Sequence, residues 1–434
     1  MSRLKQLSEL IESSNLITTY GRIKKVTGIT IKASGPKNVK IGDVCTIKSE
    51  SAQIESEVVG FDDDGIILMP LGTLDGIKAG SLVQSKNRSL SVPVSKNMLG
   101  RVINALGKPI DGMGPIDVEA FYPIYPDPVS PFARKIIKEP LEVGIKAIDG
   151  LLTLGKGQRI GIFAGSGVGK STLMGMIARN SSADVNVVAL IGERGREVKE
   201  FIEESLKEEG LKKSVVVVAT SDEAPLLRRE GAFVATAIAE FFRDQGLNVM
   251  FMMDSVTRFA MAQREIGLAV GEPPTTKGYT PSVFTLLPRL MERAGNFERG
   301  SITAIYTVLV DGDDLMEPIA DTSRSILDGH IVLSRTIAEK GRYPAIDVLK
   351  SISRLMNTVV SKEHMELSRR IKKVISVYKD AEDLINIGAY VKGSNRDIDE
   401  AIRYIGKIEA FLSQDIDEAY TMEETLNLMK GIFS

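Results

Sequence analysis

At 434 residues the chain is too long for a single hydrophobic core, so two or three domains are expected. A formal charge of −2 with 26% charged residues demands no polyanionic partner, the lone Cys45 excludes an internal disulfide, and having only His330 and His364 excludes a His-rich metal site. No apolar run reaches the ~18 residues of a membrane span, and the first twenty residues carry Arg3, Lys5, Glu9 and Glu12, so a cytosolic protein that meets membranes only through partners is expected.

Residues 2–13 place Leu4, Leu7, Leu10 and Ile11 on one helical face, a short lead for packing locally or against another subunit. From 17 to 93 the pattern shortens to segments with period-two tendencies such as Ile23, Val26, Ile29 and Ile31, then Val39, Ile41 and Val44. Gly28, Gly35-Pro36, Gly42-Asp43, Asp62-Asp63-Asp64-Gly65 and Gly80 separate them at the spacing of turns in a small β-barrel. The Gly- and Pro-rich stretch 94–140 reads as a connector, neither helix nor central strand. Beyond it, apolar runs at 160–163, 185–191, 215–218, 249–253, 302–310 and 331–333 alternate with helical patterns, as a parallel sheet buried on both faces requires. After about 350 helical signals take over, with Ile398, Ile402, Ile405, Ile408 and Leu412 at helical spacing. Asp397-x-x-Glu400 and Thr421-x-x-Glu424 read there as capping boxes. The expected division is a barrel over 1–93, a connector plus P-loop α/β domain over 94–348, and a helical domain over 349–434.

The stretch 161–172 carries the chemistry. A buried strand ends at Ala164, and Gly165-Ser166-Gly167-Val168-Gly169-Lys170-Ser171-Thr172 follows, opening a helix whose apolar face is Leu173, Met174, Met176 and Ile177. Glycines in such a loop let successive N–H groups surround phosphate oxygens, and the helix N-terminus adds partial positive charge. Lys170 would reach the β- and γ-phosphates and Ser171 would ligate Mg²⁺. Ala164 stands where the strict P-loop pattern has glycine, at a strand end where alanine costs little.

Hydrolysis also needs a metal-linked carboxylate and a group that positions water. Asp254 closes the apolar run 249–253, where it suits either the Mg²⁺ shell or a helix N-cap. Glu193 follows the run 185–191 at the edge where α/β sheets bind ligands, and is the candidate for polarising water, unless its cluster is only a solvated face. Arg194 or Arg196 would neutralise phosphate charge or brace the loop. Each histidine reads as a packing or surface residue.

The segments Ala164–Ser171, Gly192-Glu-Arg-Gly-Arg-Glu-Val198, Met253-Asp-Ser-Val-Thr-Arg258 and Pro344-Ala-Ile-Asp-Val-Leu-Lys-Ser-Ile-Ser353 together resemble the rotary ATP synthase α/β family. With residues 220–223, 235–240, 278–283 and 326–335, the chain looks most like the type III protein-export ATPases, specifically their flagellar branch. The resemblance spans essentially the whole chain and implies a RecA-like core between an N-terminal β-barrel and a C-terminal helical domain.

By that resemblance Glu193 matches the catalytic glutamate, Arg194 the arginine beside the γ-phosphate, Asp254 the Walker-B aspartate and Tyr343 the aromatic packed on adenine. Arg354 matches the arginine finger, supplied in the family by a neighbouring subunit. The implied protein is a homohexameric Mg²⁺-ATPase, cytoplasmic and peripheral to the export apparatus at the inner membrane. Implied partners are a regulator that restrains it, a stalk protein, chaperone–substrate complexes and a membrane export gate. Two alternatives stay open: a catalytic subunit of a rotary ATP synthase, and a hexameric nucleic-acid translocase. The second wants exposed stacking aromatics in the barrel, where Tyr20 and Phe61 are the only aromatics.

Overall fold

The structure, a computed structural model, describes residues 19–49, 53–310 and 314–434. The amphipathic lead expected at 2–13 lies outside the described residues. Strands β1 (Tyr20–Thr27), β2 (Thr30–Ala33), β3 (Asp43–Lys48), β4 (Gln53–Asp62), β5 (Gly65–Pro70) and β6 (Leu82–Ser89) close into a barrel in the order β1-β2-β5-β4-β3-β6. Ile31, Ile47, Val58, Leu68 and Val83 turn into its sealed interior. Cys45 joins them, and burial pushes its thiol up to about 12, so it acts as a small hydrophobe.

Past a ribbon of β7 (Ser91–Val94) and β9 (Ala120–Pro123), the connector holds an element that the composition hid: β8 (Arg101–Asn104), which joins the main sheet. It sits at the sheet's edge, where only one side needs a ladder partner, so a short segment flanked by Gly and Pro suffices. The pair β10 (Pro140–Leu141) and β11 (Leu154–Gly155) leads into the core.

All six apolar runs become strands. They are β12 (Arg159–Ala164), β13 (Val185–Glu193), β14 (Ser214–Thr220), β15 (Asn248–Asp254), β17 (Ser301–Leu309) and β18 (Gly329–Val332), with β16 (Gly295–Asn296) antiparallel to β17 and β19 (Ile352–Ser353) antiparallel to β18. The sheet order is β19-β18-β12-β17-β15-β13-β14-β8, parallel from β18 to β8. Successive residues serve two cores. Val187 and Phe251 pack with Phe233, Phe259 and Leu287 from helices Pro225–Asp244, Val256–Val270 and Pro281–Met291. Val188, Met250 and Met252 pack on the other face with Met174 and Ile177 of helix Lys170–Asn180. Burial on both faces is why these strands read as unbroken apolar runs rather than alternating ones.

Helices Lys362–Asn386, Arg396–Leu412 and Met422–Ile432 form the C-terminal region and share the second core. They press on helix Lys146–Leu151 so closely that a Cβ on Gly150 would lie 2.9 Å from Met429 Sδ and 3.1 Å from Phe411 Cζ. The buried stripe of helix Arg396–Leu412 is Ala401, Tyr404, Ile408 and Phe411, and Ile402 stands off it, exposed. Thr421 and Glu424 form the expected capping box. The box expected at Asp397 is absent, because Asn395 caps first, its side chain accepting from the N–H groups of Asp397 (2.9 Å) and Ile398 (3.4 Å). Asp397 instead sits in the first turn, where its charge complements the helix dipole.

A buried polar cluster joins barrel to core. Arg229 donates to Glu57 of β4 (2.6 Å) and to Glu230 (2.6 Å), and the Tyr125 hydroxyl donates to Glu230 (2.6 Å). Charges this deep persist only when paired, so the cluster pins the barrel to helix Pro225–Asp244. Among the described residues no helix is long and apolar enough to cross a membrane.

Candidate active site

Parallel strands end together, and here the carboxyl edge of β12, β13 and β15 gathers most of the residues singled out in the sequence. Strand β12, flanked by β17 and β18, ends at Ala164, and Gly165 is buried behind it. Gly167 and Gly169 take φ of 78° and 88°, left-handed values that glycine adopts without strain. Ser166 is exposed, whereas Val168 is 2% exposed and anchored in the core, so only its backbone N–H can serve a phosphate. Lys170, Ser171 and Thr172 form the first turn of helix Lys170–Asn180, whose opening amides have no intrahelical acceptors, and Ser171 and Thr172 are exposed.

The Lys170 ammonium pairs with Asp254 Oδ1. That oxygen also accepts from the Thr307 hydroxyl on β17 at 2.7 Å. The alternative role for Asp254 as helix cap belongs to its neighbour: Ser255 caps helix Val256–Val270, its side chain accepting from the Arg258 N–H at 3.3 Å. Asp254 thus keeps a buried carboxylate next to the P-loop lysine.

Glu193 ends β13, one strand from Asp254. Burial, and then the charge of Asp254, push its carboxyl up to about 7, against the opposing pull of Lys170 and Arg258. Glu197, one helical turn on, shares a hydrogen bond with it and is itself held low by that bond. Two buried polar atoms here have no partner, Glu193 Oε1 and Arg258 Nε. Buried polar atoms are almost always satisfied within a protein, so an orphaned acceptor near an orphaned donor fits a polar ligand such as water and phosphate. For a metal, the serine hydroxyl of Ser171 and the carboxylate of Asp254 form an all-oxygen set, the donor chemistry of Mg²⁺.

The arginines divide differently from what their motif implies. Arg194 is 76% exposed and pairs with Glu197 at 3.0 Å. Arg258, half-buried, is the arginine whose charge bears on Glu193. Its stem packs over Gly192, where a Cβ would come within 2.7 Å of Arg258 Cβ, so glycine at 192 (φ 71°) lets the arginine in. Arg258 closes the motif 253–258, where the sequence gives it no role; its position four residues after Asp254, one turn into the next helix, was the available signal. Thr307 offered only a hydroxyl inside an apolar run.

Tyr343 is 46% exposed and lies over the P-loop, its ring 3.6 Å from where a Cβ on Gly169 would be. A half-exposed ring beside the loop suits a stacked base. Arg354 is not brought to this edge. It follows β19, whose Ser353 pairs with Gly329 level with Ile160, and from Ile160 to Ala164 the strand climbs roughly 13 Å. Its backbone N–H donates to Asp328 (3.0 Å), and its exposed guanidinium makes one long contact, 3.4 Å to the Arg324 carbonyl. Both histidines bond to backbone, His330 to Lys350 at 3.0 Å and His364 to Gly150 at 2.9 Å, and neither adjoins the site.

Residues 144–353 match the nucleotide-binding domain of the ATP synthase alpha/beta family, and residues 360–431 match the C-terminal domain of the type III secretion ATPase EscN. The chain is 55% identical to the flagellum-specific ATP synthase of Bacillus subtilis, over 99% of both chains. It is 50% identical to the type 3 secretion system ATPase of Xanthomonas euvesicatoria, over 95% of this chain and 94% of that one. Its fold is similar to the assembled ATPase EscN of the enteropathogenic E. coli type III secretion system, with a TM-score of 0.89 and 45% identity over 95% of this chain and all of that one. It is also similar to EscN in complex with its central stalk EscO, with a TM-score of 0.88 and 45% identity over the same shares.

Proposed function

This chain belongs to the ATP synthase alpha/beta family, in the branch of flagellar and type III secretion ATPases, and from that premise we propose that it hydrolyses ATP to energise protein export through a type III apparatus. The match of its C-terminal region to that branch favours export over a rotary synthase. The 55% identity with a flagellum-specific relative favours the flagellar apparatus.

The observation that carries the mechanism is the carboxyl of Glu193, buried beside the Lys170–Asp254 pair with one oxygen unpartnered. As carboxylate, Glu193 accepts a hydrogen bond from the attacking water and orients it toward the γ-phosphate. Backbone N–H groups from Gly165 to Lys170 and the helix start at Ser171 and Thr172 bind the phosphate chain, and the Lys170 ammonium neutralises it. Ser171 and Asp254 would hold Mg²⁺, which offsets charge on the β- and γ-phosphates when bound. Tyr343 packs on the base. Arg258 or Arg194 supplies positive charge at the γ-phosphate, Arg258 from its place beside Glu193 and Arg194 after release from Glu197.

Arg354 lies a strand's length from the P-loop of its own chain, which supports its action on a neighbouring copy in a homohexameric ring. The relative EscN, solved as an assembly and with a stalk, supports both a ring and a stalk partner for this chain. A restraining regulator, chaperone–substrate complexes and a membrane export gate complete the proposed surroundings, with the ATPase peripheral to the apparatus. Glu193→Gln tests the central step: nucleotide affinity stays near wild type while turnover falls by about 10²–10⁴-fold. Turnover close to wild type in a variant that still binds ATP removes Glu193 from the role.

A further inference from the structure

Strand β17 carries serine or threonine hydroxyls at Ser301, Thr303 and Thr307, and each is engaged differently. The first two serve the frame at the amino half of the sheet: Ser301 donates to Asn248 Oδ1 at 3.0 Å, and Thr303 accepts from the Gly157 N–H at 2.8 Å. Thr307 lies toward the other end, buried like Asp254 beside it. Register puts it there. Met253 of β15 pairs with Tyr306, and Ile162 of β12 pairs with Thr307, so the threonine stands between the two strands whose ends carry Asp254 and the phosphate loop.

The single hydroxyl proton of Thr307 has two acceptors within reach. Asp254 Oδ1 lies at 2.7 Å and the Met253 carbonyl at 3.2 Å, and the carboxylate is favoured because it is both nearer and charged. The Lys170 ammonium pairs with the same carboxylate oxygen. On the proposed mechanism that lysine turns to the phosphates when nucleotide binds, which leaves the Thr307 hydroxyl holding Asp254 Oδ1. The strand is itself tied to the turn after Asp254: the Thr257 hydroxyl, in the first turn of helix Val256–Val270, accepts from the Leu309 N–H at 2.9 Å. Thr307 therefore offers its donor from a fixed place.

We propose that Thr307 is a positioning residue of the hydrolytic site: by holding Asp254 Oδ1 it fixes the rotation of the carboxylate, so that Oδ2 meets the Mg²⁺ shell in one orientation after Lys170 has left. The proposal rests on the reading of Asp254 as a Mg²⁺-shell carboxylate and adds the group that aims it. A carboxylate free to rotate must be ordered each time the metal arrives, and a preset donor removes that entropic cost. A hydroxyl suits the place better than a second cation, whose charge would compete with the metal for the same carboxylate. Threonine also packs in the strand much as valine would, so the donor comes with little loss to the core.

The test uses the full chain and equilibrium binding of a fluorescent ADP analogue, titrated with Mg²⁺ and measured separately in EDTA, with the thermal melt as a control for folding. Thr307→Val removes the hydroxyl and keeps the shape, Thr307→Ala removes it without setting a methyl against the carboxylate, and Thr307→Ser restores it. In the valine and alanine variants the Mg²⁺ concentration that half-saturates the metal-dependent gain in binding rises about tenfold, while affinity in EDTA stays at the wild-type value. The serine variant returns most of the shift. A wild-type Mg²⁺ curve from a folded valine or alanine variant overturns the proposal. Equal weakening with Mg²⁺ and in EDTA, or no recovery in Thr307→Ser, reduces Thr307 to packing and overturns it as well. Asp254→Asn separates the premise from the proposal: a wild-type Mg²⁺ curve there takes Asp254 out of the metal shell, and the role of Thr307 falls with it.

Discussion

Across the main sheet, charge is handled differently at its two edges. At the amino edge Arg159 lies between Asp328, at 3.2 Å, and Glu292, at 2.5 Å, so its charge is compensated by two carboxylates within the chain even though its Nη1 makes no aligned hydrogen bond. At the carboxyl edge the charges are crowded but incompletely matched: Glu193 Oε1 and Arg258 Nε lack partners, and the Glu193 carboxyl is pushed far above its ordinary range. Compensated charges hold a shape, whereas uncompensated ones are kept for a ligand. Arg354 breaks the pattern as an exposed cation at the amino edge with one long contact, which is compatible with its proposed action on a neighbouring copy.

The largest expected effect strikes the contrast at that exception. Arg354→Ala should retain nucleotide binding and lose about 10³–10⁵ in the turnover of the assembled protein, the range of an arginine finger. Steady-state rates above the assembly concentration, beside equilibrium binding of a fluorescent ATP analogue, measure it. Normal turnover would return Arg354 to the compensated class with Arg159.

A smaller effect concerns the carboxyl edge. Because burial and Asp254 raise the Glu193 carboxyl to about 7, it is protonated below that pH and ionised above it, and the proposed water-orienting role needs the ionised form. The kcat/KM profile should therefore rise about tenfold per pH unit on its acid limb and level off near pH 7. A limb centred near the ordinary glutamate range instead would mean that Glu193 is not desolvated in the free enzyme.

The smallest effect probes compensation at the amino edge. Arg159→Met leaves Asp328 and Glu292 without their shared cation and should cost about 1–3 kcal/mol of stability, read from the denaturant midpoint. Turnover per assembled protein should hardly change. A loss of turnover at unchanged stability would place Arg159 in the active machinery and erase the distinction between the edges.

Much of this architecture could be read along the chain. The runs 185–191 and 249–253 announced strands buried on two faces, and the P-loop announced itself through Gly167, Gly169 and Lys170. The misses share a cause. Strand β8 was hidden because an edge strand needs no continuous apolar run, and the cap at Asn395 was hidden because two nearby polar residues could each have served. The site lost Thr307 and the bearing of Arg258 on Glu193, since a threonine in an apolar run and an arginine in a helix carry no local mark of what they will touch.

By itself the sequence determined what short-range chemistry dictates: strand and helix periods, left-handed glycines at the loop, and a carboxylate at the end of each strand that became β13 and β15. The tertiary structure alone decided which of these meet. Strand order set β15 between β13 and β17, bringing Asp254 to Thr307 and near Glu193, and the antiparallel turn of β19 carried Arg354 to the opposite edge. Such distances follow from sheet register, which depends on how both cores pack and not on any residue's neighbours in the chain.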